Sequence, residues 1–279
     1  MLTQQQRDQF VREGFVVVPN AFPRDAALAW VRAECARVGY DLDDPATWER
    51  EYLRINTQHK EMLASFAPPA WQASGELVGG LERLTWEPNI SVLAMNFRQG
   101  ADKTYQPPSA QVPGWHKDGW MFRHFLDSPE QGLLGIPLLT DVLPEGGGTF
   151  IAADSVGAVA RCLAARPEGV LPDDFDYPAL LAECQDFREI TGRAGDFFLL
   201  HPFMLHAISQ NRLRRPRAIN NTLFVLREPM NLHRDNPGEY SLVEQAILHG
   251  LGVSSYDFHP TAPRFRTPDG GPISSAHLQ

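Results

Sequence analysis

The segment Gly114-Trp115-His116-Lys117-Asp118-Gly119-Trp120 places a histidine and a carboxylate two positions apart. On an extended backbone, residues i and i+2 project from the same face, about 7 Å apart along the chain, so both side chains can converge on one ion. Two histidines and one carboxylate on one side of a metal leave the opposite positions open. That arrangement suits ferrous iron that must also bind a co-substrate and oxygen. The third ligand has to come from elsewhere, and the run DFFLLHPFMLHAISQN offers two candidates, His201 and His206. Asn211 follows His206 by five positions and Arg217 by eleven. An arginine near such an iron can pair two-pronged with the distal carboxylate of a 2-oxo acid, which is what its planar fork does well. Arg212, Arg214 and Arg215 compete with it, but only Arg217 follows Pro216 and opens the apolar run AINNTLFVL. It is therefore the arginine expected to be drawn into a core strand.

Other polar and aromatic residues near these positions read more plainly. Asn211 suits a turn. His124 reads as structural or exposed, and Asp141 and Glu145 as a strand end and a turn. Trp115, Trp120 and Phe122 flank the candidate ligands and fit either a core or a substrate wall; Trp120 and Phe122 are taken as candidate substrate contacts.

The elements that must position these residues follow from pattern and punctuation. Thr3 with Gln6 forms a capping box for a first helix, which Gly14 stops. FVVVP, Phe15 to Pro19, reads as a short strand ended by proline. Residues from about Arg24 to Val38 carry apolar positions at helical spacing, closed by Gly39. The stretch from Pro45 to Glu87 is expected to be helical and irregular. From Asn89 onward SVLAMNFR, GLLGIPLLTDV, GGTFIAA, FREIT, DFFLLH and RAINNTLFVL are strand-like runs separated by Gly, Pro, Asp and Asn. The His116-Asp118 segment is expected to be a strand too. Residues 155–184 look like a helical insertion, a helix is expected at Leu242 to His249, and the closing TPDGGPISSAHLQ is expected to fray. Helices first and a strand-rich part after them imply an α+β arrangement around a mainly antiparallel β-core. No repeat or linker divides the chain. One domain is expected over 1–279, with a helical part at 1–88, a β-core at about 89–228 and a loop-rich extension at 229–279.

Bulk properties narrow the function. The chain has 279 residues, 43% hydrophobic and 21% charged, with a formal net charge of -9. That balance disfavours nucleic acid or an anionic membrane as a partner, since both need a basic face. No apolar run reaches the roughly 20 residues that span a bilayer, and the start lacks a signal-peptide pattern, so a cytoplasmic protein is expected. Cys35, Cys162 and Cys184 are far apart and odd in number, which points to buried free thiols.

Taken together, the motifs resemble the phytanoyl-CoA dioxygenase family of iron(II)/2-oxoglutarate oxygenases. The matching pieces are WHKDG at Trp115 to Gly119, DVLPEGGGTF at Asp141 to Phe150, GDFFLLH at Gly195 to His201, and HAISQNRLRRPR at His206 to Arg217. The opening QRDQFVREGFVVVP is similar as well, so the likeness spans most of the chain in the right order. The resemblance implies a double-stranded β-helix, the cupin-like jelly roll, with N-terminal and inserted helices. It implies His116, Asp118 and His206 as iron(II) ligands, with His201 beside the site, and Arg217 as the anchor of 2-oxoglutarate. Asn96 and Thr149 are further candidates for touching that co-substrate. The implied chemistry uses oxygen to turn 2-oxoglutarate into succinate and carbon dioxide while hydroxylating an aliphatic C–H bond. Related halogenases carry a small residue where this chain has Asp118, so the carboxylate favours hydroxylation over halogenation; desaturation, epimerisation and ring formation use the same triad. Many members have PGSH after the glycine-rich turn, whereas this chain has Ala153-Asp154-Ser155-Val156. The long, proline-rich loop Gly100 to Pro113 carries over no substrate contact. The acidic balance offers no docking surface for a coenzyme A phosphate, which favours a small metabolite. Two other classes compete: a non-catalytic β-barrel binding protein, and a cupin-type metal enzyme that needs no 2-oxoglutarate.

Overall fold

A computed structural model describes residues 1–268 and 270–274. Position 269 and residues 275–279, which end the segment expected to fray, lie outside the described residues.

Helix α1 (Gln4–Glu13) starts at the Thr3 capping box, whose side chain accepts from the Gln6 N–H, and ends at Gly14. Strand β1 (Phe15–Val18) follows at once, and α2 (Arg24–Arg37) after a turn. Next come β2 (Tyr52–Met62), α3 (Leu63–Phe66), α4 (Pro68–Val78) and β3 (Asn89–Asn96). After a long loop region come β4 (Leu133–Pro137), β5 (Phe150–Ala152), α5 (Ser155–Ala164), α6 (Tyr177–Ala182) and β6 (Phe187–Glu189). Strands β7 (Phe197–Leu200), β8 (His206–Ala207), β9 (Arg217–Ile219) and β10 (Thr222–Phe224) and helix α7 (Leu242–Leu251) complete the chain.

The strands form three sheets, ordered β1-β7-β4-β10, β2-β3-β9 and β6-β5-β8. Their pairings are antiparallel. Backbone bonds also join the sheets to one another: the Leu139 N–H donates to Ala218 of β9, and His116 and His206 exchange a pair of bonds. Helices α1, α4 and α5 pack on α7, and α4 touches β1 and β7, so the helical layer covers the first sheet.

Four expectations need correction. The Pro45–Glu87 stretch contains β2, paired with β3 along its length with an irregularity between Asn56 and Glu61. It is an edge strand with one exposed side, so its polar residues, Gln58 to Glu61, read as a helix surface. The β-core is wider than 89–228, because β1 pairs with β7 and β2 with β3. The His116-Asp118 segment is not a regular strand: His116 makes an isolated bridge and Asp118 sits in a bend. The described part of the C-terminal segment is docked rather than frayed. Thr267 N–H donates to Met121, Ile273 N–H donates to Trp120, and Ile273 is buried. The three thiols are free, with Cys35 and Cys184 buried and Cys162 half-buried.

Candidate metal centre

His116 is fixed by its bridge to His206, the first residue of β8, which β5 in turn holds in the third sheet. The two imidazoles lie 4.3 Å apart, centroid to centroid. Each ring is oriented by its own backbone. His116 Nδ1 lies 2.8 Å from the Gly114 carbonyl and His206 Nδ1 3.1 Å from the Met204 carbonyl. A carbonyl only accepts, so both Nδ1 atoms carry the proton and both Nε2 atoms present a lone pair. Those Nε2 atoms stand 3.7 and 3.6 Å from one oxygen of Asp118, too far for good hydrogen bonds. The ligand atoms of His116, Asp118 and His206 all lie within 4.8 Å of one another. His206 Nε2 is buried with no hydrogen-bond partner among the described residues. Two lone pairs and a carboxylate facing a common point could hold a cation, and two nitrogens with one oxygen suit a first-row divalent metal.

Electrostatics agree. Burial opposes ionisation of Asp118, yet His206, His116 and Lys117 outweigh it and hold the carboxyl at about 2. Burial lowers His206, but the Asp118 charge more than compensates and raises it above the ordinary histidine value. Burial and the neighbouring His206 push His116 down.

Arg217 opens β9 and is 2% exposed. Its Nε donates to the Gly147 carbonyl at 2.7 Å and its Nη1 to the Ala94 carbonyl at 3.2 Å. Gly147 has φ +84°, and a Cβ there would meet Asn96 Nδ2 at 2.8 Å, so only glycine leaves its carbonyl where Arg217 needs it. Burial drags this guanidinium down to about 10, while Tyr52 and Glu189 support it at longer range without an ion pair. Arg212 and Arg214 instead pair on the surface with Glu145 and Asp102, and Arg215 is exposed.

Arg217, Thr149 and the His-Asp-His group all line one cavity of about 210 Å³, whose apolar wall includes Val92, Leu134, Ile219 and Leu223. Trp120 stands at its exposed side, its Nε1 donating to the Gly270 carbonyl. A second cavity of about 630 Å³ shares His116 and Ile208 with the first. Its wall is more polar, with Gln99, Thr104, Gln106 and Gln210. Gln210 Nε2 donates to the carbonyls of Gly100 and Thr104, which folds the 100–113 loop against this cavity.

Three candidates fall away from the cavity. Asn96 is buried outside the cavity lining, its side chain donating to the Ser209 carbonyl and accepting from the Gln99 N–H. Phe122 is buried against His124 rather than open to a substrate. His201 is buried between Phe10 and Phe203, accepts from the Phe203 N–H, and is far enough from solvent that burial lowers it to about 3. Asn211 closes a turn as expected, its amide donating to the carbonyls of Asn96, Phe97 and Arg215. Sequence reading missed Tyr52 and Arg54, which line the first cavity from β2. The alternation Leu53, Ile55 between polar neighbours was the available signal.

No protein-family model matches the chain, and no curated protein matches it at a significant level. Solved structures of similar shape do exist. EvdO2 from Micromonospora carbonacea var. aurantiaca, complexed with 2-oxoglutarate, is 14% identical with a TM-score of 0.48, covering 85% of this chain and 96% of its own. AviO1 from Streptomyces viridochromogenes Tue57 is 17% identical with a TM-score of 0.48, covering 82% and 98%. The epimerase SnoN, in complex with Fe3+, alpha ketoglutarate and nogalamycin RO, is 17% identical with a TM-score of 0.46, covering 97% and 95%. Likeness at this level is too low for activity to be transferred.

Proposed function

We propose that this protein is an iron(II)- and 2-oxoglutarate-dependent oxygenase built on a double-stranded β-helix, which hydroxylates an aliphatic C–H bond of a small metabolite. His116, Asp118 and His206 would hold the metal. Arg217 would hold the distal carboxylate of 2-oxoglutarate. The observation that carries this reading is Arg217: a buried guanidinium that has no carboxylate in ion-pair contact among the described residues and lines the same cavity as the His-Asp-His group. A buried charge without a counter-ion is costly, and a dicarboxylate entering the cavity would supply one.

Bound at this site, ferrous iron would supply the oxygen activation that couples conversion of 2-oxoglutarate to succinate and carbon dioxide with oxidation of the substrate. The chain's own residues supply the rest. The Gly114 and Met204 carbonyls lock the two imidazoles with Nε2 inward. Gly147 and Ala94 hold Arg217 in one orientation, which fixes where a dicarboxylate can lie. The apolar wall excludes water, which strengthens each charge interaction inside. Asp118 occupies the position that a halide would need, which supports hydroxylation over halogenation. With the small cavity filled by co-substrate, the larger polar cavity beside His116 offers room for the substrate.

The test is aerobic incubation with iron(II) and 2-oxoglutarate, measuring succinate, alongside Mn(II) binding by electron paramagnetic resonance. Wild type should bind metal and release succinate slowly even without substrate. Asp118→Ala should lose both. A wild-type protein that binds no divalent metal, or an Asp118→Ala variant as active as wild type, sinks the reading.

A further inference from the structure

Residue 117 lies between the two candidate ligands His116 and Asp118, and its side chain is buried in the core. The residue there is a lysine, 5% exposed, with no carboxylate in ion-pair contact among the described residues. Its ammonium carries three protons and meets three acceptors. These are the Asp118 carbonyl at 3.1 Å, His124 Nδ1 at 2.8 Å and Gln131 Oε1 at 3.3 Å. The rings of Phe122 and Phe203 lie 5.5 and 5.7 Å from the ammonium.

His124 is buried beside it and makes the next link. Its Nε2 lies 2.9 Å from the Gly119 carbonyl. That carbonyl fixes the proton on Nε2 and leaves Nδ1 as the acceptor Lys117 needs, so one tautomer satisfies both contacts. Gly119 takes φ +117°, and a Cβ there would lie 2.6 Å from both the His124 and Phe122 rings. Two successive carbonyls, those of Asp118 and Gly119, are therefore gripped by one buried lysine–histidine pair. An apolar side chain of similar volume would fill position 117 at no cost in charge burial, and such replacements are often neutral or stabilising. A buried lysine that donates to the Asp118 carbonyl and to the histidine holding the Gly119 carbonyl indicates a geometric task.

We propose that Lys117 and His124 are positioning residues that aim the Asp118 carboxylate at the metal. The inference rests on the reading of Asp118 as a metal ligand. His116 and His206 need no such device, because their bridge and their Nδ1 contacts orient them. Asp118 sits in a bend outside any sheet, so the fixing has to come from behind it.

The test is the Mn(II) affinity of the full-length protein, titrated by electron paramagnetic resonance well below the unfolding temperature. Lys117→Met keeps the stem and removes the ammonium; His124→Phe keeps a ring and removes both nitrogens. Each should weaken Mn(II) binding roughly 10–100-fold, the range found when groups that orient metal ligands are removed. In each, a larger share of the added Mn(II) should remain as the sharp six-line signal of the free aqueous ion. Leu77→Ala, a core truncation distant in sequence and outside the cavity lining, should lower Tm and leave Mn(II) affinity unchanged. Folded Lys117→Met and His124→Phe proteins that bind Mn(II) as tightly as wild type overturn the inference. So does failure of both to fold, which would make the pair a structural core element only. Failure of the underlying reading is distinguishable, since the wild type itself would then bind no Mn(II).

Discussion

The surroundings of one side chain, Arg217, are wrong for stability alone. Arg217 spends two donors on carbonyls, and the rest of its fork has no acidic partner among the described residues. Truncating one partner of a buried charge pair costs roughly 2–5 kcal/mol. Arg217→Ala should therefore weaken 2-oxoglutarate binding on the order of 30-fold or more, read as the concentration for half-maximal succinate release. Arg217→Lys should fall between, keeping charge but losing the fork. The ligand-free Arg217→Ala protein should keep or gain Tm, because an uncompensated buried charge has gone. An unchanged requirement for 2-oxoglutarate would point to Arg54, the other arginine lining this cavity. Arg217 was legible because Pro216 and the apolar run after it are local signals. Lys117 and His124 were not, because their partnership depends on how the 117–131 segment folds back on itself. Asn96 and Phe122 were misplaced for a related reason: a residue's type and neighbourhood do not say whether its polar atoms or its face are already spoken for.

Among the elements, the short strands and the capped helices could be read because turn residues bracket them. β2 could not, since an edge strand with a wet face carries the polar residues of a helix surface. The C-terminal segment could not either: glycine, proline and serine read as a loose tail, yet backbone bonds tie it to the strip just after Asp118. Arg123 N–H donates to Phe265, Thr267 N–H to Met121 and Ile273 N–H to Trp120. The strip is thus held from outside by the tail, and the Asp118 bend from inside by Lys117 and His124. These two supports should separate experimentally. A chain ending at Arg264 should release Trp120 and Met121, which line the cavity, and reduce kcat/KM about 10–100-fold, as small misplacements of positioning groups do. Its Mn(II) affinity should stay within a few-fold of wild type, because the inner grip is intact. Loss of metal binding in the shortened chain would show that the tail, not the buried pair, orients Asp118.

At the scale of the whole molecule, the site is where separate parts of the chain are joined. His206 belongs to the β6-β5-β8 sheet and Arg217 to the β2-β3-β9 sheet, while His116 and Asp118 lie in the long loop region between β3 and β4. A metal bound across them ties non-adjacent segments together and should stabilise the entire fold by mass action, by about 2.7 kcal/mol at a hundredfold excess over Kd. The size of that gain depends on pH. In the metal-free protein His206 has a raised value, so its pairing with Asp118 contributes stability fully present below the ordinary histidine value of about 6.5 and lost as pH rises through the raised one. Asp118 is lowered to about 2, so its contribution holds above the ordinary carboxylate range and disappears only as pH falls towards that value. On the proposed function, a metal would compete with the proton for His206 Nε2. The metal-free Tm should therefore decline as pH rises past neutrality, while the Tm increment from Mn(II) grows between about pH 6 and about pH 8. Differential scanning fluorimetry with and without Mn(II) reads both trends. An increment that is flat across this range would mean that the ion is not displacing a proton from His206, and the triad would have to be reassigned.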